Sequence, residues 1–115
     1  FITGMGAMDE PFEGADLLRD VLSRAPWARL CCGHMHRPIF TAWAQGLALT
    51  VPSISMQIDL DLSPEGGDTF RMEMPGYMLH HWDGSHLNSH VCQIPADVDF
   101  SGPHPFADSV NPVED

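Results

Sequence analysis

Two histidines one residue apart, His34 and His36, follow Gly33 directly after the apolar run Leu30-Cys31-Cys32. Imidazole is a common transition-metal ligand. On an extended segment, residues i and i+2 project to the same side, with Cα atoms about 6–7 Å apart at a rise of roughly 3.3 Å per residue. Two rings so placed chelate one ion awkwardly but can ligate two ions about 3.5–4 Å apart. Gly33 is expected to supply the sharp turn that brings the backbone close. The end of a buried strand is also where α/β proteins build sites. A bare His-x-His is equally a pair of surface residues in a loop, and spacing alone leaves both readings open. Arg37 is the base beside the motif, placed either to contact a phosphate or to pair with a carboxylate.

The elements that must hold this motif are legible from hydrophobic period. Leu17, Leu18, Val21 and Leu22 recur on one face, which predicts a helix over Ala15 to Arg24 with Arg19 and Asp20 outside and Pro26 as its stop. Arg29 to Cys32 reads as a buried strand. From Ile39 the period becomes two. Ile39–Ala44 and Leu47–Val51 form an expected hairpin about Gln45-Gly46. Ser55 to Leu62 alternates Met56, Ile58, Leu60 and Leu62 against Gln57, Asp59 and Asp61, which predicts a strand with one wet face. A turn at Ser63–Asp68 precedes strands at Thr69–Met74 and Tyr77–Trp82, and Asp83-Gly84 leads into a last strand at Leu87–Ile94. One helix and six or seven short strands make half of an α/β sandwich, α+β by content. The organisation is a domain over residues 1–94 and an extended Pro- and Asp-rich tail over residues 95–115.

The flanks of the histidine pair sharpen it. The run LCCGHMHRPI resembles the last motif of the calcineurin-like metallophosphoesterases, an apolar strand followed by Gly-His-x-His. Its extension His36-Arg37-Pro38-Ile39 is similar to the branch of class III cyclic nucleotide phosphodiesterases and glycerophosphodiester phosphodiesterases. Pro52-Ser53 with Gln57, Pro75-Gly76-Tyr77 with Leu79-His80 and Trp82, and the opening Phe1-Ile2-Thr3-Gly4 with Met8-Asp9 agree with that branch. The resemblance spans about Phe1 to His90. It implies a four-layer α-β-β-α sandwich with two divalent transition-metal ions (Mn, Fe, Zn or Co) at the strand ends. It also implies that His34 and His36 ligate different ions, which activate water and neutralise a small phosphodiester substrate. The family's Asp-x-His and Gly-Asn-His motifs are absent from the sequence. The chain is therefore expected to be a C-terminal part, weakly metal-binding and poorly active alone, and completed by an N-terminal part. The competing expectation is a catalytically silent β-rich module for dimerisation or partner binding.

Composition narrows the partners. The 115 residues carry 16 Asp and Glu, five Arg and no Lys, a formal charge of -11. That argues against nucleic acid and anionic membrane as partners, since both select clustered positive charge. No apolar run approaches the roughly 20 residues of a membrane span. Three Cys make no disulfide framework, so a reducing, cytoplasmic location is expected. Cys31 and Cys32 are expected to be inert packing thiols, and Cys92 is a candidate bridge between subunits of a homo-oligomer. His80, His81, His86 and His90 are expected to form a polar sheet face, with a separate zinc site as the sharper alternative. Phe40 and Trp43 are expected to pack in the sandwich or an interface, and Met8 with Asp9 to shape a pocket rim.

Overall fold

Gly14, in the left-handed region at φ 85°, opens helix α1, Ala15–Ser23. The helix ends one residue before the expected Arg24, because Pro26 lacks an N–H and disfavours a helical residue before it. The computed structural model describes Met5, Asp9, residues 12–66 and 69–95, Asp97 and residues 101–105. Ala15, Leu18 and Leu22 are half-buried, while Leu17 and Val21 remain 74% and 58% exposed. The expected apolar face is therefore split. A contact of α1 with the sheet comes from the side expected to face water: the Arg19 guanidinium lies 5.3 Å from the centre of the Trp43 ring, a cation–π contact.

Strands β1 (Arg29–Cys32), β2 (Ile39–Trp43) and β3 (Gly46–Thr50) form the first sheet in the order β1-β3-β2. The β1–β3 pair is parallel and the β2–β3 pair is an antiparallel hairpin. Its turn is Ala44-Gln45, one residue earlier than expected, with both residues at positive φ (53° and 64°). That geometry matches the right-handed twist of the strands. Gly46 is released into β3, where a Cβ would stand 3.1 Å from the Ala28 carbonyl oxygen. Ala48, Leu49 and Thr50 on β3 are buried.

β4 (Gln57–Ile58) and β5 (Phe70–Arg71) pair antiparallel, much shorter than the two expected strands. Gln57 is buried, contrary to its expected wet position, while Leu60 and Leu62 are exposed. The reason is local. Gln57 Oε1 accepts from the Ser53 N–H at 3.1 Å and its Nε2 donates to the Ser53 carbonyl at 2.9 Å, so the amide acts as a strand neighbour. β6 (Gly76–Trp82) and β7 (Leu87–Gln93) form a seven-pair antiparallel hairpin. The class is α+β, one helix with mostly antiparallel strands. Residues 95, 97 and 101–105 of the expected tail belong to no helix or strand; the other tail residues lie outside the described set.

Candidate metal centre

The histidine motif occupies the loop 33–38, between the C-terminal end of β1 and the start of β2. The ladder runs up to the loop, with the Val51 N–H donating to the Cys32 carbonyl at 3.0 Å. Thr50 Oγ1 then donates to the Arg37 carbonyl at 2.7 Å and fixes the loop's far end to β3. Met35 is its plug. The side chain is buried in a small cluster with Met5 and Ile58, against which Ile39 packs.

The extended geometry expected for His34 and His36 is not the one adopted. His34 has φ 75° and His36 has φ 53°. Both lie in the left-handed region, which costs a non-glycine residue about 1–2 kcal/mol. The sharp turn is also not made at Gly33, which lacks a positive φ and where an added Cβ would meet nothing. The Met35 N–H donates to the Gly33 carbonyl at 2.9 Å, closing the turn around His34. The two imidazoles thus flank a buried Met35 on a curled backbone. His34 is exposed. His36 is half-buried, and its Nδ1 is buried with no hydrogen-bond partner. A buried polar atom left unpaired costs about 1–3 kcal/mol. An imidazole nitrogen with a spare lone pair suits a borderline cation, so this residue fits a metal ligand. Among the described residues no three His, Cys, Asp or Glu side chains come together as a cation cage. The loop thus brings two candidate ligands, not a complete set.

Arg37 is paired rather than free. Its guanidinium donates to the Ile58 carbonyl and to both Glu73 carboxylate oxygens, at 3.4 and 3.3 Å. Of its two expectations, the carboxylate pair is the one seen. Arg37 also lines a cavity of about 200 Å³ with Pro52, Gln57, Glu73, Gly76 and Gln93, between the motif's flank and the β4–β5 and β6–β7 pairs.

The other candidates resolve differently. His80, His81, His86 and His90 are exposed, and the register sets His80 opposite Ser89 and His81 opposite Asn88. Trp43 is half-buried under Arg19, while Phe40 is exposed. Asp9 is half-buried, and Met8 lies outside the described residues. Cys31 corrects the inert-packing expectation: it is exposed, with Sγ 3.8 Å from His80 Nε2. Ser89 and Arg29 complete that group and carry no local sequence signal, because the partners come from strands β1 and β7, 60 residues apart. The Cys31 thiol is pushed up by partial burial, against which the Arg29 charge acts, while Cys32 adds to the rise.

No helix among the described residues is long and apolar enough to cross a membrane. No family model matches the chain. One curated relative does: the chain is 37% identical over 95 residues to the probable glycerophosphodiester phosphodiesterase GpdQ of Arcobacter nitrofigilis. The match covers 81% of this chain and 34% of that protein, so the chain spans about a third of the relative's length. Over most of its length the chain is thus similar to one part of a glycerophosphodiester phosphodiesterase.

Proposed function

We propose that the chain is the C-terminal part of a metal-dependent phosphodiester hydrolase of the calcineurin-like type, in which His34 and His36 each ligate one of two divalent transition-metal ions. The observation that carries this reading is His36: a buried, unpartnered imidazole nitrogen on a left-handed turn at the end of β1. Local strain and an orphaned polar atom in one residue are the signature of a group kept for something other than stability. The similarity to a glycerophosphodiester phosphodiesterase supports the reaction class. Glycerophosphodiesters are the favoured substrates, with cyclic nucleotides the nearest alternative.

When bound, the ions supply Lewis-acid charge that polarises the phosphodiester and activates water. Residues of this chain do the positioning. Met35 anchors the loop by burial, and Thr50 and Glu73 hold its Arg37 end. Arg37 lines the cavity beside the motif and is the cation offered there to a phosphodiester, in competition with Glu73. The remaining ligands come from an N-terminal part of the same protein. Its docking is supported by the exposed Leu17 and Val21 on α1. Three free thiols suit a reducing compartment, and a homo-oligomer is the expected assembly.

The second reading, a catalytically silent β-rich module, is favoured by the absence of a three-ligand cluster among the described residues. Metal titration separates the two. The 115-residue chain, given manganese or zinc and followed by His ring NMR signals and bound-metal analysis, is expected to take up metal weakly, and His34→Ala and His36→Ala lose the uptake. A chain extended by the missing ligands is expected to hydrolyse bis-p-nitrophenyl phosphate. No uptake by either form overturns the hydrolase and leaves the silent module.

A further inference from the structure

We propose that Cys31, His80 and Ser89 form a base-assisted reactive thiol, a site at which Cys31 exchanges with small-molecule disulfides. This stands apart from the hydrolase reading and uses neither of the candidate metal ligands nor Arg37. Cys31 is exposed on β1, and its Sγ lies 3.8 Å from Nε2 of His80 on β6. The other ring nitrogen, Nδ1, lies 2.7 Å from Ser89 Oγ across the β6–β7 pair. Arg29 Nη1 donates to that same oxygen at 2.5 Å. The order is nucleophile, base and orienting group, each within reach of the next.

The network admits two tautomers of His80, and the proposed base is the one with its proton on Nδ1. A serine hydroxyl has two acceptor lone pairs and one proton. Arg29 occupies one lone pair, and in that tautomer the other accepts the His80 Nδ1–H. Nε2 is then left as a free acceptor aimed at the Cys31 thiol, which is the state a general base needs. The groups acting on Cys31 are Arg29 and Cys32 from its own strand and His80 from the hairpin. Partial burial keeps the thiol protonated near neutrality despite Arg29, so reaction requires proton removal in the encounter rather than a standing thiolate.

In the exchange, Nε2 takes the Sγ proton while Sγ attacks one sulfur of the disulfide. The new S–S bond forms as the old one breaks, and the departing thiolate takes the proton back from Nε2. Cys31 is oxidised to the mixed disulfide and half of the small disulfide is reduced to its thiol, so the balance closes. Cys32 and Cys92, both half-buried, are internal references in the same chain.

The test is site-resolved mass spectrometry of the 115-residue chain treated with oxidised glutathione across the imidazole range, about pH 5–8. The expected result is that Cys31 is modified first, at a rate that rises through that range. His80→Asn lowers the Cys31 rate about tenfold or more, Ser89→Ala lowers it severalfold, and the Cys92 rate stays unchanged in both. If His80→Asn loosens the hairpin, Cys92 on β7 reacts faster, and Ser89→Ala decides. With Ser89→Ala, a severalfold fall in the Cys31 rate with the Cys92 rate steady supports the site. A Cys31 rate and pH profile unchanged by Ser89→Ala, or by His80→Asn with Cys92 steady, overturns it.

Discussion

Arg37 links three parts of the molecule: its guanidinium donates to the Ile58 carbonyl on β4 and to Glu73 after β5, and its backbone carbonyl accepts from Thr50 on β3. The side chain is 15% exposed and Glu73 is 40% exposed, so the pair is partly shielded and worth more than an open surface contact. Arg37→Ala leaves a carbonyl and a carboxylate without their donor and is expected to cost about 1–3 kcal/mol. Arg37→Lys keeps the charge but not the fork and is expected to fall between. Urea denaturation of the three proteins checks the order. Met35→Ala removes a plug that is 4% exposed and is expected to cost about 2–5 kcal/mol in the same measurement. The histidines are expected to behave in the opposite sense. His34→Gly and His36→Gly relieve left-handed strain, so the metal-free chain keeps or gains up to about 1 kcal/mol. Both variants are expected to lose metal uptake, and a clear fall in metal-free stability would show that the curled turn is a structural requirement rather than strain held for a ligand.

At the scale of elements the β6–β7 hairpin is the longest paired unit, and two residues define its ends. An added Cβ at Gly76 would stand 2.7 Å from the Cys92 carbonyl oxygen, so Gly76→Ala is expected to cost about 1–3 kcal/mol through forced backbone movement. At the other end Asp83 Oδ1 accepts from the Ser85 and His86 N–H groups at 2.8 and 2.7 Å. These backbone donors hold the Asp83 carboxyl below its ordinary value. A carboxylate with a depressed folded value stabilises its turn above the unfolded value, and that contribution disappears as pH falls through the folded one. The Ser85 and His86 amide NMR signals are expected to shift on acidification below the ordinary carboxylate range, and Asp83→Ala removes that step. This hairpin was readable from Asp83-Gly84 and the period on either side. The place of β4 was readable but not its length, although Met56, Ile58, Leu60 and Leu62 alternate cleanly, because Asp61 takes the Ser63 N–H and hydroxyl at 2.9 and 2.6 Å and turns the chain away from pairing. The helix period was right, but its inward side depended on Trp43 meeting Arg19, which no local pattern records. At the site, the residue types and the loop position were legible. The left-handed turn was not, since histidine carries no preference that announces it, and for Arg37 a carboxylate partner was among the expectations but not that it would be Glu73, 36 residues away.

The whole molecule combines a good local pattern with little shared interior. Its radius of gyration is 18.7 Å, against about 13 Å for a compact domain of roughly 100 residues. Among the described residues Leu49 is the fully buried large side chain, while Leu17, Trp27, Leu60 and Leu62 are exposed. Stability that scales with buried apolar area is therefore small for the chain by itself, and among the described residues the buried cluster that joins the first two sheets is only Met5, Met35 and Ile58 with Ile39 against it, too little to make unfolding one event. Urea titration is expected to give a slope near or below the low end of the usual 1–3 kcal/mol per molar, about 1. Far-UV dichroism and tryptophan fluorescence are expected to give transitions that do not coincide, because Trp27 on the loop, Trp43 on β2 and Trp82 on β6 report different units. Leu17→Glu combined with Val21→Glu separates a missing interior from an intrinsically weak one. Both side chains are open to water here, so the double variant is expected to change the isolated chain by less than about 1 kcal/mol. Joined to the N-terminal part that the proposed hydrolase requires, the same two charges fall on an apolar face and are expected to prevent docking, with loss of the cooperative transition and of hydrolysis. Equal tolerance in both settings would mean that α1 faces solvent in the longer protein as well, and the covering of its outer face would have to be withdrawn.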